Sequence, residues 1–128
     1  MQIASWNVNS VRTRLEHVLD WLDRNTIDVL ALQETKVDDP LFPLKPFQER
    51  DYHVSIHGQK SYNGVALISR QPLEDVRLGF TGELPGDVDA EALGAQKRVI
   101  SALVDGIRVV NLYVPNGSSL DSESTATN

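Results

Sequence analysis

Five apolar side chains, Val11, Leu15, Val18, Leu19 and Leu22, follow one another at spacings of four, three, one and three. That rhythm marks one apolar face of a helix ending near Asn25. Asn9 or Ser10 is placed to cap its start, because either side chain can accept a hydrogen bond from a free amide of the first turn. Apolar segments at residues 2–8 and 28–33 flank the helix and read as strands. Strand, helix and strand in so short a span predict a βαβ unit with parallel strands. Parallel neighbours end at the same edge of a sheet, so the residues ending the two strands, Asn7 and Glu34, are expected close together. Open α/β sheets place their ligands at that edge.

Residues 38–46 hold three prolines and read as a loop, with a helical turn expected after Pro46. Residues 52–57 alternate weakly and predict a strand; residues 64–69 and 74–78 predict two more, with a polar loop at 59–63. Residues 81–96 carry three glycines and the acids Glu83, Asp87, Asp89 and Glu91, the composition of a solvated, mobile loop. Residues 98–104 and 107–114 form two strands around Asp105-Gly106. Asp-Gly between apolar runs predicts a hairpin, because both turn positions need positive φ. From Pro115 the chain turns polar. The division expected is a folded part over residues 1–117 and a disordered polar tail over 118–128.

At 128 residues the chain fits one domain at most, and its 41% apolar and 23% charged residues are ordinary for a globular protein. It has no cysteine, which excludes disulfides and thiolate metal sites. A bound metal needs oxygen or histidine ligands. No apolar run approaches the roughly 20 residues of a membrane span. The first residues, Met-Gln-Ile-Ala-Ser-Trp, do not read as a signal peptide, so the cytoplasm is the expected location. The net charge of -6, from 18 acidic and 12 basic residues, weighs mildly against a nucleic-acid partner. A divalent metal or a local basic patch overrides that balance, since binding depends on charge at the site.

Several residues can carry chemistry. Glu34, in Leu-Gln-Glu-Thr at a strand end, is either a hard oxygen ligand for Mg²⁺ or a capping acid. Asn7 either joins such a metal shell, orients a neighbouring carboxylate, or closes a turn. The loop Lys60-Ser61-Tyr62-Asn63-Gly64 offers a lysine, hydroxyls and an amide for phosphate contact, or forms an ordinary polar turn. Tyr113 and Asn116, in Tyr-Val-Pro-Asn-Gly, can hydrogen-bond a phosphate, though Asn116 can equally close an Asx turn. His17, His53 and His57 lack metal-ligand spacing and read as surface or packing residues.

Taken together, Trp6-Asn7-Val8-Asn9-Ser10-Val11-Arg12, Leu32-Gln33-Glu34-Thr35-Lys36, the segment from Lys60 to Ala66, and the segment from Asn111 to Gly117 resemble the ordered motifs of the exodeoxyribonuclease III and abasic-site endonuclease family. That family lies within the endonuclease/exonuclease/phosphatase superfamily. The resemblance implies an α/β fold, part of a four-layer α/β/β/α sandwich that this chain does not complete. It implies hydrolysis of DNA phosphodiester bonds with Mg²⁺ or Mn²⁺, on double-stranded DNA with abasic sites or 3′ ends. By that analogy Asn7 and Glu34 serve the metal, Tyr113 is the catalytic tyrosine, and Lys60, Tyr62, Asn63 and Asn116 face the DNA.

Family members also carry an Asp-x-Asn motif and a terminal Asp-His pair downstream of the tyrosine motif, and residues 114–128 hold neither. Three readings follow: one piece of an active nuclease, a non-catalytic DNA- or metal-binding remnant, or an inactive fragment. The chain is expected to supply one sheet and one helix. The sheet's second apolar face is then left uncovered and available for self-association.

Overall fold

In a computed structural model the described residues are 1–58, 63–78 and 99–113. The predicted βαβ unit is present. Strand β1 (Ile3–Asn7) runs parallel to β2 (Val29–Gln33), and helix α1 (Leu15–Arg24) makes the crossover. A 3-10 turn (Asp39–Leu41) and a short helix α2 (Leu44–Gln48) lead to β3 (His53–His57) and then β4 (Val65–Ser69). These strands form one sheet in the order β1-β2-β4-β3, with β4 antiparallel to both neighbours. Strands β5 (Glu74–Leu78), β6 (Val99–Val104) and β7 (Ile107–Leu112) form a second, antiparallel sheet.

The burial of β2 and β4 explains the layering. Their sequences, VLALQ and VALIS, are buried at every position, as strands covered on both faces must be. One face packs against α1 and the turn before it, through Leu30, Leu32, Ala66 and Ile68 with Val18 and Leu22 of the helix and Val11 of the turn. Trp6 of β1 meets Trp21 of α1 edge-on, ring centroids 6.1 Å apart. On the other face, Val29, Ala31, Val65 and Leu67 pack against Ile100, Ala102, Val104 and Val109 of the second sheet. The expectation of an uncovered apolar face is therefore wrong. The chain supplies both sheets, and the surface proposed for self-association is an interior.

The second sheet is offset. Strand β7 lies over β2 and β4, and β6 over β4 and β3. Among the described residues neither β6 nor β7 is stacked over β1, and Ile3, Ser5 and Asn7 are exposed while Ala4 and Trp6 pack towards the helix. On the outer face of the second sheet, Val110 and Leu112 are 51% and 38% exposed. The described residues thus form the α, β and β layers of an α/β/β/α sandwich.

Two local expectations need correction. The helix begins at Leu15, after a separate turn at residues 11–14. Asn9 and Ser10 adopt φ of 48° and 90°, and the Ser10 hydroxyl accepts from the Thr13 amide at 3.3 Å, so it closes the turn rather than capping α1. Helix α2 starts before Pro46, not after it. Proline is tolerated in a first turn because the amide it lacks needs no partner there. The Asp105-Gly106 hairpin has the positive φ values expected, 51° and 78°. The predicted loop at 81–96 and the tail at 118–128 lie outside the described residues.

Because Leu67 is fully buried between the sheets and Val110 half exposed, truncating them should differ sharply. Leu67→Ala should cost about 2–5 kcal/mol in denaturant unfolding. Val110→Ala should stay within about 0.5 kcal/mol. Equal losses would contradict the packing of one sheet on the other.

Candidate active site

Strands β1 and β2 end together, and their pairing continues past both ends. The Val8 amide donates to the Gln33 carbonyl at 3.0 Å, Ser10 to Glu34 at 2.8 Å, and Val11 to Thr35 at 3.0 Å. From the other side, Thr35 donates to the Gly64 carbonyl at 3.2 Å and Lys36 to Asn63 at 3.0 Å. The segment holding Glu34 is therefore pinned on both flanks. The pinning holds an unusual backbone: Glu34 and Lys36 both have φ of 57°, and Asn63 has 58°. Left-handed non-glycine residues cost on the order of 1–3 kcal/mol each and gather where side chains must be aimed. At Gly64, with φ of 92°, a Cβ would sit 2.2 Å from the Thr35 hydroxyl, so only glycine fits.

The result is a carboxylate with a defined environment. The Asn7 side-chain amide donates to Glu34 Oε2 at 2.8 Å, and the Tyr113 hydroxyl donates to the same oxygen at 2.7 Å. The Lys36 ammonium lies 3.5 Å from Oε1 and also donates to Asn9 Oδ1. The orientation of Asn7 follows from its other end, where Oδ1 accepts from the Asn9 amide at 3.2 Å. That leaves the nitrogen for Glu34. Of the alternatives open in the sequence, the geometry shows two at once: the Asn7 oxygen closes a turn and its nitrogen orients the neighbouring carboxylate.

Partial burial is the largest single influence on the Glu34 carboxyl and raises its pKa. The donations from Asn7 and Tyr113, with the charge and hydrogen bond of Lys36, outweigh it, and the carboxyl titrates below the usual glutamate range. Glu34 is thus an anion at neutral pH with one oxygen saturated by two donors and the other beside a cation.

The structure brings Asn7, Glu34 and Tyr113 to one point. Asn63 is buried, and its carbonyl holds Lys36. Lys60, Tyr62 and Asn116 lie outside the described residues. Sequence reasoning offered Asn9 only as a helix cap and gave no role to Lys36, though both complete the surroundings of Glu34, nor to the buried amides Gln33 and Asn111. For the two amides the available signal was only a polar residue within an apolar strand.

A family model described as the endonuclease/exonuclease/phosphatase family matches residues 4–122. The chain belongs to that family. Exodeoxyribonuclease III of Haemophilus influenzae is 36% identical, over 97% of this chain and 45% of its own length. An AP endonuclease from Archaeoglobus fulgidus superposes with a TM-score of 0.81 at 42% identity, covering 99% of this chain and 46% of that structure. The Neisseria 3′ phosphatase NExo (D146N), bound to a product DNA hairpin, gives 0.80 at 41%, covering 99% and 46%. The chain spans just under half the length of these relatives.

Within this family frame, the donor set suits a hard, water-rich cation. Mg²⁺ takes one or two protein carboxylates and keeps several waters. Among the described residues no cluster of three or more His, Cys, Asp or Glu side chains stands ready to enclose a metal. Among the described residues, Glu34 is the carboxylate at this edge, with the Asn7 side chain beside it.

The depressed pKa fixes a pH dependence. The folded state binds the Glu34 proton more weakly than the unfolded state does. Its contribution to stability is therefore fully present above the unfolded-state pKa and is lost as pH falls through the lower folded value. Tyr113→Phe removes one donor and should move the Glu34 midpoint upward, followed by the ¹³C shift of its carboxyl carbon. An unchanged midpoint would mean that the tyrosine hydroxyl does not act on this carboxylate in solution.

Proposed function

We propose that this chain forms the first part of a DNA repair nuclease of the exodeoxyribonuclease III type, which hydrolyses phosphodiester bonds with Mg²⁺ or Mn²⁺. Double-stranded DNA with abasic sites or 3′ ends is the substrate class. The observation that carries the reading is the convergence of Asn7 and Tyr113 on one oxygen of Glu34, at the strand edge where this fold places ligands. The names of the relatives, a deoxyribonuclease, an AP endonuclease and a 3′ phosphatase, support the same chemistry.

In this reading Glu34 would hold the metal, while Asn7 and Tyr113 fix the carboxylate through Oε2. The metal supplies Lewis acidity towards the phosphate. Lys36 adds positive charge beside the site, and exposed Arg12 and Arg14 lie on the turn leaving the same edge. These three cations give a polyanion a local attraction that the net charge of -6 does not reveal. Activating water and protonating the leaving oxygen are further tasks. In the family motifs they fall to acids and a histidine downstream of the tyrosine, and residues 114–128 carry no counterpart.

Two measurements test this. The 128-residue chain should bind Mn²⁺, seen by electron paramagnetic resonance, and Glu34→Ala should abolish that binding. With Mg²⁺ it should cleave an abasic-site duplex at least about 10²-fold more slowly than a full-length relative, since each missing proton transfer is worth typically 10²–10⁴-fold. Binding indifferent to Glu34 would sink the metal assignment. Turnover equal to a relative's would place the proton-transfer groups inside this chain.

A further inference from the structure

The interface between the two sheets is apolar except at one end, where His57 Nδ1 of β3 lies 3.2 Å from the Val99 carbonyl of β6 and two buried amides meet. There Asn111 of β7 is 1% exposed and Gln33 of β2 is 2% exposed. The Asn111 side-chain nitrogen donates to the carbonyls of Leu32 and Ala66, each at 2.8 Å. Those two residues are register partners on β2 and β4. With both amide hydrogens used, Asn111 presents its oxygen to Gln33, whose side-chain nitrogen donates at 2.8 Å. The same Gln33 nitrogen reaches the Ser5 hydroxyl of β1 at 2.9 Å. One side chain of the second sheet is thus tied directly to two strands of the first and, through Gln33, to a third.

The position of this lattice along the chain matters. Gln33 immediately precedes Glu34, and Asn111 lies two residues before Tyr113 on the same side of its strand. Stacked sheets lie about 10 Å apart and touch mainly through non-directional apolar contacts. Such contacts tolerate small sliding of one sheet over the other; hydrogen bonds do not. A slip that broke the Asn111 bonds would leave buried groups unsatisfied at about 1–3 kcal/mol each.

As a stability device the arrangement is poor. Gln33 Oε1 is buried with no hydrogen-bond partner among the described residues. That orphaned oxygen carries a desolvation cost of about 1–3 kcal/mol, which offsets what the neighbouring bonds contribute. A polar pair that gains little for stability but sits one and two residues from the two groups that meet is suited to alignment.

We propose that Gln33 and Asn111 are positioning residues, setting the register of the second sheet on the first so that the Tyr113 hydroxyl meets the Glu34 carboxylate. The inference deepens the reading of Glu34 and Tyr113 as the centre of a nuclease site and rests on it for its functional meaning. Its geometric content can be tested without turnover.

The chain has three tyrosines, so 3-fluorotyrosine labelling gives three ¹⁹F signals, assigned by Tyr→Phe substitution. In the otherwise unaltered chain, Glu34→Gln should shift the Tyr113 signal. In the double variant Gln33→Leu/Asn111→Leu, which should still melt cooperatively, the same Glu34→Gln change should leave that signal in place. A merely structural pair would instead lower the melting temperature and leave the Glu34 response intact. A response as large as in the parent chain overturns the proposal. Should the double variant not fold, Gln33→Met carries the test, because it keeps both Asn111 bonds to backbone. A diminished response there supports the proposal, and an undiminished one overturns it. Broadening of the Tyr113 signal by Mn²⁺ on the unaltered chain examines the metal reading separately, and its absence overturns that reading alone.

Discussion

The parallel pairing of β1 with β2 is the constraint from which the rest of the site follows. It sets Asn7 beside Gln33 in register, and so places the asparagine amide within reach of Glu34 one residue further on. Because the pairing continues through Val8, Ser10 and Val11, the chain beyond β2 is held by backbone bonds and not by its own propensity. Those bonds allow Glu34 and Lys36 to sit in left-handed backbone, a conformation neither residue type favours alone. The strain is tolerated because two flanking segments over-determine it. A carboxylate aimed by backbone in this way needs little help from its own rotamer.

Much of this was legible in the sequence. The apolar spacing of Val11 to Leu22 gave the crossover helix, and Asp105-Gly106 gave the hairpin. The βαβ rule brought Asn7 and Glu34 together before any coordinates. The partition into two sheets was not legible, because VISALV in β6 has the same apolar character whether it extends a sheet edge or stacks over one. Nor was the backbone at Glu34 and Lys36, where no glycine or asparagine signals positive φ. Gln33 and Asn111 were hidden for a related reason. A polar residue on a strand suggests a solvent-facing position, and only the offset of the sheets shows that both face inward.

The net charge of -6 and the charge of individual segments differ in this chain. The excess of acids is a property of the whole chain, whereas Lys36, Arg12 and Arg14 lie on the segments leaving one edge of the first sheet. Potential at a surface falls off within about 10 Å at moderate salt, so local cations matter more than remote carboxylates. The Glu34 carboxylate is itself part of that local balance, with an ammonium on one oxygen and two neutral donors on the other.

The two donors to Glu34 differ in how far along the chain they come from. Asn7 is 27 residues away and arrives through a single crossover, whereas Tyr113 is 79 residues away and arrives only with the second sheet. Closing the longer loop costs about 1 kcal/mol more in chain entropy. A hydrogen bond to a charged acceptor contributes about 1.5–3 kcal/mol. That one bond is too weak to draw two sheets together, so its presence reports docking that the apolar interface has already achieved. The surroundings of the carboxylate thus have a local half, made within the βαβ unit, and a long-range half that requires both sheets to be packed together.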